Sequence, residues 1–289
     1  MAGKIREWQN AGIAPKVVMT IAGFDPSSGA GITADLKTFA AHRLYGISCP
    51  TALTVQSTRG VRRTIPLDPS LVAETLNCLA DDTPPAGIKI GMLGNAAVAT
   101  AVSDFLAVAG TDRSAVVLDP VLRSSSGAAL LDEAGVRILR ERLLGQIGWI
   151  TPNIDELAAL LDETVADADG IVAQADRLQQ LAARAGNTQL RVVVTGGHLH
   201  QPNDLFLDHL ELARNPASPG SWLRGERVET TSTHGTGCAF SSALMCQVVY
   251  GLKADHAVAA AKAYVSGALR HAYPIGSGKG PMHHFFEHW

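Results

Sequence analysis

Clusters of basic residues are missing from this sequence. Its 24 Lys and Arg stand against 27 Asp and Glu in 289 residues, a formal charge of −3. Binding to nucleic acid or to an anionic membrane rests on grouped cations, so neither partner is expected. No stretch approaches the roughly eighteen consecutive apolar residues of a membrane-spanning helix. The first residues, MAGKIREWQNAGIAPK, carry charge and polarity where a signal peptide needs an apolar core, so a cytoplasmic location is expected. The four cysteines, Cys49, Cys78, Cys238 and Cys246, form no CxxC pair and have no zinc-type histidine spacing, which predicts reduced thiols. There is no GxxxxGK[ST], which excludes a P-loop, and there is neither internal repeat nor low-complexity tract.

What is present is an ordinary globular composition, 46% hydrophobic, in a chain long enough to bury a large core without staples. Short β-branched runs alternate with longer Ala/Leu-rich segments of helical period, the pattern of βαβ units and a mostly parallel sheet. Strands are expected at 17–22, 47–55, 86–91, 115–119, 147–151 and 190–195, with a hairpin-like pair near 204–212 and 226–230. Helices are expected at 31–43, 69–82, 95–108, 132–144, 155–161, 168–186, 237–250 and 254–272. Residues 1–16 read as a lightly docked extension, 17–289 as one domain, and 213–225 as a loop.

Ligands of open α/β sheets bind beyond the carboxyl ends of the strands, which directs attention to the strand-to-helix loops. GFDPSSGAGITADLK, residues 23–37, formally contains a dinucleotide fingerprint at Gly29, Gly31 and Ala34. It lacks the immediate turn after the strand and the acid about twenty residues on, so the match is weak. In THGTGCAFSSAL, residues 233–244, two glycines straddle a threonine ahead of an apolar helix. Free N–H groups at such a helix start favour phosphate, and Cys238 in the first turn is placed where a thiol pKa falls. The alternative reading is a glycine helix cap with Cys238 as a small buried hydrophobe. In LDPVLRSSSG and TPNIDELAAL, Asp119, Asn153 and Glu156 lie just beyond strands. Carboxylates there suit Mg²⁺ together with substrate phosphates, while for Glu156 taken singly ordinary capping of the next helix is the better account.

In this order, TIAGFDPSSGAGITADLKTF, TALTVQSTRGV, IKIGMLGN, VLDPV, ITPNIDELAAL, GGHL, THGTGCAFSSAL and GPMHHFFEHW closely resemble the hydroxymethylpyrimidine and phosphomethylpyrimidine kinases of thiamine biosynthesis, a branch of the ribokinase-like superfamily. The resemblance runs from about Val17 to Trp289. It implies a three-layer α/β/α sandwich around a central, mostly parallel sheet, a homodimer, and ATP- and Mg²⁺-dependent phosphorylation of 4-amino-5-hydroxymethyl-2-methylpyrimidine and then of its monophosphate. It places the pyrimidine among Gly23, Ala30, Asp35, Gln56 and Met92, with Val121 at the wall. A side-chain amide such as that of Gln56 offers one donor and one acceptor to an aminopyrimidine, and Met92 a soft apolar face. It makes Gly235, Thr236 and Gly237 the anion hole, and puts Cys238 where most ribokinase-like enzymes keep an aspartate base. Asn153, Glu156, Thr195 and Gly197 fall beside the nucleotide, with Glu156 and Asp119 toward the metal. Phosphoryl transfer needs mainly positioning and charge neutralisation, which such a set can supply.

One departure stands out: the family segment before GGH usually carries a lysine, and here Thr195 offers only a hydroxyl to nucleotide phosphates. His283 and His284 look like a metal pair but read better as structural or subunit contacts. Two rival readings remain, a pyridoxal kinase of the same superfamily and a non-catalytic pyrimidine-binding regulator. Gln56, Met92 and Cys238 favour pyrimidine over pyridoxal, and the intact GTGC with Glu156 favours a kinase over a regulator.

Overall fold

A computed structural model describes residues 14–124, 127–165, 167–197, 201–209 and 220–288. Nine strands form one sheet: β1 (Val17–Phe24), β2 (Tyr45–Ser57), β3 (Gly60–Pro66), β4 (Ile88–Ile90), β5 (Val116–Leu118), β6 (Trp149–Ile150), β7 (Arg191–Val194), β8 (Asp204–Leu207) and β9 (Ser221–Leu223). Their spatial order is β3-β2-β1-β4-β5-β6-β7-β8-β9. The six from β2 to β7 in that order are mutually parallel, and β3, β8 and β9 add antiparallel pairs at the two edges. Between them run helices α1 (Gly31–Ala41), α2 (Pro69–Asp82), α3 (Ala96–Val108), α4 (Glu133–Glu141), α5 (Ile154–Leu161), α6 (Ala168–Arg184), α7 (Thr236–Val249) and α8 (Ala254–Arg270).

Both sheet faces are covered, which is why the parallel strands read as unbroken apolar runs. On one side Met19, Ile21, Ile88, Ile90, Val116, Leu118, Val192 and Val194 pack with residues of α2 through α6. On the other, Val18, Val117, Trp149 and Val193 pack with α1, α7 and α8. Successive strand residues thus enter opposite cores, giving the three layers expected. Several helix starts are set locally: Asp68, Asn95, Asp132 and Asp167 each accept an N–H from the first turn of the following helix.

Two expectations are corrected. The segment 226–230 contains no strand; the partner of β8 is β9, which falls inside the stretch read as loop. Strand β3 was not anticipated. Its Arg62 and Arg63 and its bracketing Gly60 and Pro66 hide it in the sequence, yet charge and terminal proline are how an exposed edge is kept from further pairing. Residues 1–13 of the expected extension lie outside the described residues.

The order of the strands fixes where a ligand goes. From β1 the chain steps outward to β2, then returns and builds β4 to β7 on the other side, so β1 and β4 flank a topological switch point. The crevice beyond their carboxyl ends is the binding position of such folds. Asp25 follows β1, Met92 follows β4, and Asp119, Asn153 and Thr195 follow β5, β6 and β7.

Candidate active site

Helix α7 begins on Gly235, whose φ of +78° is a left-handed conformation open chiefly to glycine, and no side chain caps the first turn. The neighbouring start, that of α1, is likewise without a side-chain cap. The two meet directly: a Cβ on Gly235 would collide with the Gly29 carbonyl and stand 3.1 Å from the Ala30 Cα. Uncapped amides at Thr236, Gly237 and Cys238 carry the positive end of the helix dipole, and anions bind such ends. Asp119 lies close by; its Oδ2 would be 3.8 Å from a Cβ on Gly237 and accepts from Ser241 Oγ at 3.2 Å.

The remaining pieces assemble around the crevice mouth. A Cβ on Gly23 would lie 2.7 Å from Met92 Sδ, so the glycine leaves that sulfur its place. Met92 in turn clusters with Ala52, Leu130 and the half-buried Val121. Asp25 gathers its own loop, accepting from Ser27 N (2.8 Å), Ser27 Oγ (2.7 Å), Gly29 N (3.2 Å) and Ala30 N (2.9 Å). His234 Nε2 reaches Asp25 Oδ2 at 2.8 Å and the Gln56 amide at 3.0 Å, tying β2, the Asp25 loop and the start of α7 together. Asn153 and Glu156 form a capping box at α5: Asn153 N donates to Glu156 Oε2 and Glu156 N to Asn153 Oδ1, each at 2.9 Å. Thr195 bridges to Asn153, its N–H donating to the Pro152 carbonyl at 2.8 Å, and Gly197 lies exposed beyond it.

Comparison with known proteins bears on this arrangement. The family profile of phosphomethylpyrimidine kinase matches residues 25–283. The hydroxymethylpyrimidine/phosphomethylpyrimidine kinase of Haemophilus influenzae is 38% identical over 271 residues, covering 93% of this chain and 97% of that protein. The chain belongs to the phosphomethylpyrimidine kinase family. It is a phosphotransferase. Among solved structures, a phosphomethylpyrimidine kinase from Clostridium difficile 630 matches with a TM-score of 0.72 at 29% identity, over 88% of this chain and 99% of that one. An ADP complex of Bacillus subtilis pyridoxal kinase matches with a TM-score of 0.78 at 26% identity, over 93% and 97%.

Within this kinase fold two of the expected site residues have surroundings of their own. Asp35 does not line the crevice. It is fully buried, paired through both oxygens with Lys89 Nζ at 3.0 Å, and it accepts from Thr20 Oγ1 at 2.6 Å and Ser242 Oγ at 2.8 Å. Its place in α1 faces the sheet, so it joins α1, β4 and α7. Cys238, half-buried in the first turn of α7, is held toward the thiol form. Burial, joined by the nearby Asp119 and Asp35 carboxyls, pushes its thiol up to about 12, and Lys89 offsets only part of this. The dipole that would lower it is outweighed by desolvation.

Asp119 and Glu156 are also displaced upward. Burial is the main cause for both; Glu156 is raised further by Asp119, to about 8, while Asp119 is raised to about 6 against the pull of Lys89. The pair therefore retains a proton near neutral pH. Among the described residues no group of three His, Cys, Asp or Glu gathers as a metal cage. Two acids short of countercharge fit a Mg²⁺ that takes the rest of its shell from water and phosphate.

Lys89, His234 and Asp25 were not singled out from the sequence. Lys89 had a signal, since a lysine inside an apolar parallel strand must find a buried partner. His284 is buried with Nδ1 3.2 Å from Thr38 Oγ1 and its backbone carbonyl accepting from Tyr264, a structural role. His198 lies outside the described residues. No helix among the described residues is long and apolar enough to cross a membrane.

Proposed function

We propose that this kinase transfers the γ-phosphoryl group of ATP to the hydroxymethyl oxygen of 4-amino-5-hydroxymethyl-2-methylpyrimidine and then to the resulting monophosphate, in thiamine biosynthesis. The observation that carries this reading is the contact of Gly235 with Gly29 and Ala30, which sets an uncapped anion-binding helix start against the loop facing Gln56 and Met92. Gly23, Met92 and Val121 supply the apolar seat for the ring, Ala30 its edge, and Gln56 the amide for its amine and ring nitrogen. The amides of Thr236, Gly237 and Cys238 receive charge as it spreads over the transferred phosphoryl oxygens. Asn153, Glu156, Thr195 and Gly197 flank the nucleotide. Bound Mg²⁺, held through Asp119 and Glu156, would supply neutralisation of phosphate charge. In the first transfer the hydroxymethyl oxygen forms the new bond to phosphorus, the bond to the ADP oxygen breaks, and the hydroxyl proton passes late to the newly bound phosphate, as a loose transition state permits; in the second an oxygen of the monophosphate is the nucleophile.

The test is a coupled ATP-consumption assay with three acceptors: the pyrimidine alcohol, its monophosphate and pyridoxal. Turnover of both pyrimidines, with pyridoxal at least about tenfold poorer in kcat/KM, is expected. Comparable or better use of pyridoxal would move the protein to the rival kinase, and binding without turnover would make it a regulator. Gln56→Ala should lower kcat/KM by a factor corresponding to about 1–3 kcal/mol, the cost of leaving buried polar groups unpaired. Unchanged kinetics would remove Gln56 from the site.

A pH experiment probes the metal assignment. Between the ordinary carboxylate range and the raised values of Asp119 and Glu156, the folded protein binds more protons than the unfolded chain. Its stability should therefore fall as pH rises from about 5 to about 8.5. Millimolar Mg²⁺ with ADP should flatten that fall in thermal melts, whereas Glu156→Gln should flatten it without metal. Identical slopes in all three samples would disconnect these acids from the metal.

A homodimer in the cytoplasm completes the reading. Leu53 and Val55 on β2 and Ile65 on β3 are exposed, and alternation on β2 brings them to one face opposite Thr54 and Gln56. Such an apolar stripe at a sheet edge suits a second copy. The free thiols fit a reducing compartment. In sedimentation, Leu53→Arg together with Val55→Glu should convert dimer to monomer; an unchanged sedimentation coefficient would locate the interface elsewhere.

A further inference from the structure

His234 contributes a single nitrogen to two neighbours, and their chemistry decides how its hydrogen is placed. Asp25 already accepts four N–H or O–H donors from Ser27, Gly29 and Ala30. Burial opposes its ionisation, but the His234 and Ser27 contacts outweigh that and hold the carboxyl below its ordinary range. An acceptor-only carboxylate 2.8 Å from His234 Nε2 requires that this nitrogen carry a hydrogen. The same nitrogen lies 3.0 Å from Gln56 Nε2, which would oppose donor to donor, so the amide is turned over to bring its oxygen to His234.

A second contact accommodates the turned amide. Gln56 Oε1 lies 3.1 Å from Thr54 Oγ1, whose one hydrogen has another acceptor in the Phe24 carbonyl at 3.0 Å. With that hydrogen on Phe24, Thr54 accepts from the Gln56 NH₂ once the amide is turned over. One half-turn of the amide satisfies both neighbours, and Gln56 keeps one free oxygen lone pair and one free N–H.

We propose that His234 is a specificity-determining positioning residue: it locks the Gln56 amide in the orientation that reads a 4-aminopyrimidine and rejects the 4-oxo counterpart. This rests on the pyrimidine-kinase reading above. An aminopyrimidine donates from its amine and accepts at the adjacent ring nitrogen. The 4-oxo ring presents the reverse order, with a carbonyl oxygen that accepts and a ring N–H that donates. A free amide meets either by turning over, whereas an amide held at both ends meets only one.

The experiment compares kcat/KM for the 4-amino alcohol with that for its 4-oxo analogue, and calorimetric binding of both without ATP. In the unaltered protein the 4-amino form should be favoured by about 10²-fold or more, as expected when a mismatch leaves paired groups unsatisfied. His234→Ala should reduce that ratio at least about tenfold, mainly by improving the relative use of the 4-oxo ring. His234→Gln, which can keep a donor at a similar reach, should restore most of it. Equal losses for both rings in His234→Ala would show a purely structural residue and overturn the proposal. Imidazole tautomer assignment by ¹⁵N NMR reads the argument without any substrate: a hydrogen on Nε2 is expected, and a neutral Nδ1–H form would overturn it even where His234→Ala fails to fold. That result would leave the kinase reading standing, whereas an unaltered protein that binds neither pyrimidine would remove both.

Discussion

Cys238→Ala is expected to lower kcat by roughly 10²-fold, the lower part of the range for losing a positioned acid or base, with a smaller change in the KM of the pyrimidine. The thiol stands in the first turn of α7, at the anion-binding amides, but its pKa is pushed up to about 12 by burial and by Asp119 and Asp35. A group so rarely ionised is a poor base at neutral pH. Its contribution is to orient the attacking hydroxyl, which suffices where the proton leaves late. Cys238→Ser should therefore retain most activity, and at Mg²⁺ concentrations that keep Asp119 and Glu156 ionised log kcat should stay flat between pH 6 and 9. A profile rising with unit slope, together with a serine variant as impaired as alanine, would restore the thiolate mechanism. Full activity of Cys238→Ala would leave only the backbone amides.

The largest stability effect is expected at Lys89. Its ammonium has no solvent exposure and meets both oxygens of Asp35 at 3.0 Å. Lys89→Met leaves that carboxylate buried with only the Thr20 and Ser242 hydroxyls, and removing one partner of such a pair costs about 3–5 kcal/mol. The urea midpoint should fall accordingly with an unchanged slope. Because the penalty belongs to the stranded charge, Lys89→Met with Asp35→Asn should recover a substantial part of the loss, a coupling that a double-mutant cycle measures. Additive effects below about 1 kcal/mol would mean that the layer is solvated. Ser242 lies on α7, so the single variant should also raise KM for ATP by loosening the helix that receives the phosphate.

Much of this was legible from periodicity and punctuation. The parallel strands announce themselves because both faces are buried, and α2 spans 69–82 as expected, with Asp68 capping its start. Loops rich in glycine between strand and helix gave the crevice. What stayed hidden are facts of pairing across the chain. Asp35 carries the same letter whether it lines a pocket or meets Lys89, 54 residues away. Cys238 sits at a helix start, as read, but the acids that oppose its ionisation come from α1 and from the segment after β5. Strand β3 resembles loop because edge strands are selected to look uninviting.

The contact between Gly29 and Gly235 has a consequence for motion. Backbone touches backbone there, with no intervening side chain that could change rotamer and absorb a displacement. The loop that carries Ala30 and the turn that opens α7 are further joined by His234 to Asp25, and the tail holds the same turn through His234 N–H to the Gly280 carbonyl at 3.0 Å. Opening one therefore requires opening the other. In hydrogen exchange the amides of residues 27–31 and 235–238 should form one cooperative unit with a shared opening free energy, so acceptor binding at one loop slows exchange at the other before any nucleotide arrives.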